Sequence, residues 1–117
     1  MSRIHKPFTE ATVTDAGIVI LNPNDLIGYV EPEFEGVVSF VITPTEVTGT
    51  LSISAQLQGS LDNSVFVNID SPVALADGVS ALVTAGTTLS FDYYRVTLTG
   101  SGTQSTTIAA SYSRKSK

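Results

Sequence analysis

The clearest hydrophobic pattern lies between Thr50 and Gln58. Leu51, Ile53, Ala55 and Leu57 alternate there with Thr50, Ser52, Ser54, Gln56 and Gln58. A period of two puts one set on the buried face of a strand and the other on its wet face, and it predicts a single strand over residues 47–57. The same alternation recurs. Val65, Val67 and Ile69 oppose Phe66 and Asn68; Tyr94, Val96 and Leu98 share a face; Thr107, Ala109 and Ser111 alternate with Ile108, Ala110 and Tyr112 in a strand over residues 104–113. Residues 12–14, 18–21 and 37–43 read as further strands, residues 79–91 as two short ones broken at Gly86, and residues 26–30 as a short strand or an irregular connector.

Turn formers separate these runs. Asp15-Ala16-Gly17, Asn22-Pro23-Asn24-Asp25, Gly59 to Ser64, Asp70-Ser71-Pro72, Asp77-Gly78 and Gly100-Ser101-Gly102 are predicted turns, and Pro44 is expected to end its strand. The sum is roughly eight to ten short strands with no helical period. It predicts an all-β fold: one antiparallel β-sandwich domain over residues 1–117, jelly-roll-like.

Composition agrees. Valine and isoleucine lead the apolar set, and such β-branched residues fit a pleated sheet better than a helix. Charged residues are only 15% of the chain, so the outward strand faces are rich in serine and threonine. Faces of that kind are flat and suited to packing against other proteins. There is no cysteine, which excludes disulfides and thiolate metal sites. No apolar run reaches the roughly 20 residues of a membrane helix, and residues 1–8 lack a signal-peptide core, so the chain is expected to be made in a cytoplasm.

The charges are unevenly placed. Five of the six cations, Arg3, Lys6, Arg114, Lys115 and Lys117, sit at the ends, whereas the body holds Arg95 against all eleven carboxylates. That layout predicts two extended basic arms, residues 1–9 and 113–117, reaching for acidic surfaces on neighbouring subunits. Arg3, His5, Lys6, Phe8, Arg114, Lys115 and Lys117 are the candidate partner-binding residues, with Phe8 the anchor in a neighbour's pocket. Glu31, Glu33 and Glu35 form an acidic loop able to accept such an arm. The acidic body argues against nucleic acid as the main partner.

No catalytic set emerges. His5 is the sole histidine, lies in an arm and has no nucleophile elbow near it; no segment has the Asp/Asn ladder of a calcium loop; no phosphate-binding glycine fingerprint is present. Neither an enzyme nor a cofactor is expected. Arg95 is read as a structural partner of Asp62 or Asp92 rather than a ligand anchor.

One longer motif remains. Ser60-Leu61-Asp62-Asn63 reverses the chain after a strand, Phe66 begins the return, and Tyr93-Tyr94-Arg95-Val96 follows further on. Asp62 is placed to bond its own loop's amides, and Asn63 tolerates the left-handed conformation. Over about residues 48–112 this resembles the S-x-D-G…Y-x-R-V pattern of β-sandwich modules. Such modules occur in discoidin-like carbohydrate-binding domains and in small virion proteins of tailed bacteriophages. Asn63 stands for the glycine and Phe66 for the tryptophan of the discoidin form. Small size, hydroxyl-rich strands and charged ends are closer to the phage type. The resemblance implies a non-enzymatic virion protein, a capsid accessory or head-tail neck component. Its partners would be major capsid, neck or tail subunits and copies of itself, with no membrane partner. The alternative it implies is a carbohydrate-binding or host-recognition module, with exposed aromatics near Phe34 and Tyr93.

Overall fold

The computed structural model describes residues 3–24, 36–85 and 91–116, with side chains described for 5–24, 37–85 and 91–114. Nine strands fill these segments: β1 (Arg3–Pro7), β2 (Ala11–Thr14), β3 (Ile18–Leu21), β4 (Gly36–Gly49), β5 (Ile53–Ser60), β6 (Val67–Ala74), β7 (Ala81–Ala85), β8 (Tyr93–Gly100) and β9 (Gln104–Ser116). One sheet runs β1-β9-β4-β7, with β2 also on β9; the other runs β3-β8-β5-β6. All pairings are antiparallel and nested: β2 with β9, β3 with β8, β4 with β7 and β5 with β6. Nested pairs of this kind describe one long hairpin rolled into two sheets, which is the jelly-roll form of the sandwich. β1 continues the edge begun by β2, and the amide of Phe8 donates to the Ala110 carbonyl between them.

The core lies between the sheets. Val13, Val38, Phe40, Ile42, Val96 and Leu98 have no exposed surface. They come from alternate positions, as the period-two pattern requires. At one end of the sandwich the buried Gln104 joins three loops. Its side-chain amide donates to the carbonyls of Ser52 (2.7 Å), Ser101 (2.9 Å) and Asp15 (3.3 Å). Its oxygen accepts from the Thr106 hydroxyl and the Ser52 amide. A buried polar side chain is tolerable only when satisfied in this way.

The structure departs from the sequence expectations at four places. β4 passes through Pro44 instead of ending there. The Pro44 carbonyl accepts from the Gly78 amide at 2.8 Å on the β7 side. The nitrogen of the same residue points the same way, beyond the end of β7 at Ala81, so no ladder bond is lost. The expected strand over residues 47–57 is two strands, because Gly49 takes a φ of 75° and turns the chain; a Cβ there would collide with the Thr103 carbonyl. Asp70-Ser71-Pro72 is a bulge inside β6, not a turn. These three residues stand against Gln56 alone, whose amide donates to the carbonyls of Ile69 and Asp70 at 2.9 and 3.1 Å.

The fourth departure concerns the ends. Residues 3–7 and 113–116 are strands of the same sheet, not separate arms, with Arg3 opposite Lys115, Ile4 opposite Arg114 and His5 opposite Ser113. Continuous backbone pairing and the packing of Phe8 outweigh the repulsion of the cations. The Phe8 ring lies 5.1 Å from Tyr112 and 6.2 Å from Phe40. Phe8 is thus an anchor in its own core, not in a neighbour's pocket. Deleting residues 1–8 removes this half-buried ring and the β1 ladder. The expected result is a loss of about 2 kcal/mol in a denaturant titration; an unchanged midpoint would show that β1 adds nothing to the fold.

Candidate interaction surfaces

The β5–β6 turn is built from its own side chains. Ser60 and Asp62 bond each other, and one Asp62 carboxylate oxygen accepts from the amides of Ser64 (2.9 Å) and Val65 (3.0 Å). The Val65 amide first, then the Ser64 amide and the Ser60 hydroxyl, hold the Asp62 pKa below its ordinary value. Asn63 takes a φ of 60°. Its side chain accepts from Asn22 at 3.1 Å and donates to Asn24 at 3.2 Å, tying this turn to the loop after β3. The turn displays apolar side chains: Leu61 is 67% and Val65 69% exposed. With Val67 and Phe91 they border a hollow of about 260 Å³.

Arg95 stands on the outer face of the β3-β8-β5-β6 sheet. Its Nε donates to the Gln58 side-chain oxygen at 2.7 Å, and its guanidinium lies 3.8 Å from the centroid of the Phe66 ring. Gln58 also accepts from the Thr97 hydroxyl and donates to Asn68. The result is a cross-strand row from β8 over β5 to β6. The expected partners Asp62 and Asp92 are therefore replaced by Gln58 and Phe66. Sequence separation hides the reason: the register sets Gln58 directly opposite Arg95. Of the two aromatics expected to border a sugar site, Tyr93 is half-buried and Phe34 lies outside the described residues; Phe66 lies against Arg95.

The basic residues gather where β1, β9 and the start of β4 meet. Arg3 pairs with Lys115 and Lys6 with Tyr112, while Gly36 lies opposite Ser116. His5 and Lys6 are exposed. Lys117 and the acidic Glu31, Glu33 and Glu35 lie outside the described residues.

The outer face of the larger sheet is of another kind, and no motif marked it. The buried residues of β4, among them Phe40 and Ile42, alternate with Ser39, Val41 and Thr43, which point outward. Register sets Val41 between Leu82 of β7 and Ser111 of β9, Ser39 between Thr84 and Ser113, and Thr43 beside Ala109. These side chains are small and uncharged. Leu82 is 63% and Val41 40% exposed. Next to Leu82, Val41, Thr43, Ala109 and Ser111 border a shallow hollow of about 250 Å³.

A larger groove of about 430 Å³ between residues 51–54, 74–75 and 99–101 is lined by apolar side chains, hydroxyls and backbone, without an ionisable group. Among the described residues no three His, Asp or Glu side chains meet in a cluster fit for a metal ion.

No family model matches the sequence, and no curated protein matches it. Among solved structures the chain is similar to the Bacillus endospore appendages, which "form a novel family of disulfide-linked pili". The TM-score is 0.50 at 15% identity, over 97% of this chain and 88% of that one. It is also similar to a chain of infectious bursal disease virus, Gx strain, with a TM-score of 0.48 at 9% identity, over 97% of this chain and 33% of that one. At these identities the likeness to the appendage concerns the β-sandwich alone.

Two substitutions test the local geometry. Because the folded-state pKa of Asp62 is depressed, its carboxylate stabilises the fold at pH values above the ordinary 3.8, and the contribution fades as pH falls through the depressed value. Asp62→Asn is therefore expected to be less stable than the native chain at pH 7, with the gap closing in acid. A gap independent of pH in denaturant titrations would refute the role of the charge. Arg95→Ala removes one charge-assisted hydrogen bond and the ring contact, with an expected loss of about 1–2 kcal/mol; Arg95→Lys, unable to reproduce the Nε bond, should recover only part of it. Equal stability of all three proteins would contradict that assignment.

Proposed function

We propose that this protein is a non-enzymatic structural subunit of a virion, a capsid accessory or head-tail neck component of a tailed bacteriophage, working in many copies. The observation that carries the reading is where its apolar side chains stay uncovered. Ile18 and Ile20 stand exposed on the edge strand β3, Leu61, Val65 and Val67 at the β5–β6 end, and Val41 and Leu82 on the outer face of the larger sheet. Uncovered apolar surface marks contact with other macromolecules. A binder of one small ligand gathers such residues into a single concavity, whereas here they are parted among different sides of a rigid sandwich. A subunit with several neighbours needs that distribution.

The phage assignment draws on the Ser60 to Asn63 and Tyr93 to Val96 pattern, and the absence of a catalytic set from the sequence fits it. The sandwich of the Bacillus appendages serves in a pilus, which supports a role in assembly. Those pili are disulfide-linked, but this chain has no cysteine, so its contacts with sister copies and with capsid, neck or tail subunits rest on packing and charge. Quantitative mass spectrometry of virions purified from cultures producing the protein is expected to find it in fixed numbers per particle. Its absence from intact particles would overturn the assignment.

A further inference from the structure

We propose that the outer face formed by β7, β4 and β9 is a self-association surface, on which two copies of this chain pack face to face about a two-fold axis. The inference rests on the assembly reading above and names the surface and its occupant.

Charge points to a second copy. The chain carries a net −5, so two copies repel wherever their carboxylates face each other. On β7, β4 and β9 the rows through Ser39, Val41 and Thr43 hold only hydroxyl and apolar side chains, with His5 of β1 at the rim beyond Ser113, and two such three-strand faces meet without burying a charge.

Shape points the same way. Leu82 stands out from the face, and the hollow bordered by Val41, Thr43, Ala109 and Ser111 lies between the neighbouring strands. A two-fold axis lying in the interface, along the strands and close to β4, carries each copy's Leu82 over its partner's hollow. Knob and hollow on one surface are what an isologous contact requires. Small side chains also let two sheets approach to the usual spacing of about 10 Å.

Size sets the strength. With strands about 4.8 Å apart and outward residues about 6.6 Å apart along each strand, three strands and three rows span roughly 290 Å² per copy. Two copies then bury about 600 Å², below the size of stable specific interfaces, so a weak, transient dimer is expected at high protein concentration. Pairing through sheet edges is the competing route, and two of the four edges are defended: Pro7 interrupts the β1/β2 edge, and the Asp70-Ser71-Pro72 bulge interrupts β6. Association through the open edges β3 or β7 would be indifferent to Leu82→Glu or would differ in its response from the face.

The unmodified protein is expected to show a concentration-dependent dimer by light scattering that persists in high salt. Leu82→Glu should weaken it at least tenfold with an unchanged melting temperature, and Val65→Glu, at the β5–β6 turn, should leave it intact. A native protein monomeric at every concentration, or a Leu82→Glu variant that associates like the native chain, would overturn the proposal. The two readings fail separately. Presence in particles with Leu82→Glu associating normally removes this face and leaves the structural role; a Leu82-dependent dimer absent from particles does the reverse.

Discussion

The ladder between β4 and β9 is the interaction on which the sandwich depends. It runs from Gly36 opposite Ser116 to Gly49 opposite Gln104, with one shift of register between Glu46 and Thr48. Every other strand of that sheet is attached to one of these two: β1 and β2 to the far side of β9, and β7 to the far side of β4. At its Gln104 end the ladder grips the opposite sheet as well, because Gln104 holds Ser52 before β5 and Ser101 after β8. One amide side chain thus sets how the two layers are closed at that end. A hydrophobic replacement would leave the carbonyls it serves without partners in a buried place, which costs more than the original bonds contribute.

The two outer faces are built for different ends. On the smaller sheet, Arg95, Gln58, Thr97 and Asn68 bond one another across strands, so much of their polar capacity is spent within the molecule. On β7, β4 and β9 the outward side chains in the rows through Ser39, Val41 and Thr43 are hydroxyl and aliphatic groups with little conformational entropy to lose on contact. Carboxylates at turns and loops, such as Asp15, Asp62 and Asp77, leave that face neutral. The molecule thus combines rigidity from the ladder, one face with satisfied polar groups and one face left uncommitted.

Much of this architecture was legible in the residues. The all-β sandwich followed from period-two runs and turn formers, and the Ser60 to Asn63 turn from side chains that bond their own backbone. What stayed hidden depended on pairing between distant segments. Pro44 reads as a strand ending unless its nitrogen is known to face the side where β7 has stopped. Gln104 reads as an ordinary strand opener, because its three carbonyl partners lie on three separate loops. The basic ends read as arms, because Arg3 and Lys115 repel; the gain from burying Phe8 beside Tyr112 is a contact between opposite ends of the chain. Hydroxyl-rich outer faces were foreseeable, but the neighbourhood of Leu82, Val41 and Ser111 exists only through two ladders that sequence order does not reveal.

The nested pairing also governs how the chain comes to be folded. β9 follows every other strand in the sequence, yet it is the partner of β1, β2 and β4. During synthesis β1 and β2 must wait for their ladder partner until β9 has left the ribosome, whereas β4 has β7 in the meantime. Contacts so distant in sequence close slowly, and an incomplete chain has only the β4–β7 pair of the larger sheet to fall back on. A product truncated before β9 therefore has neither a closed core nor a finished outer face.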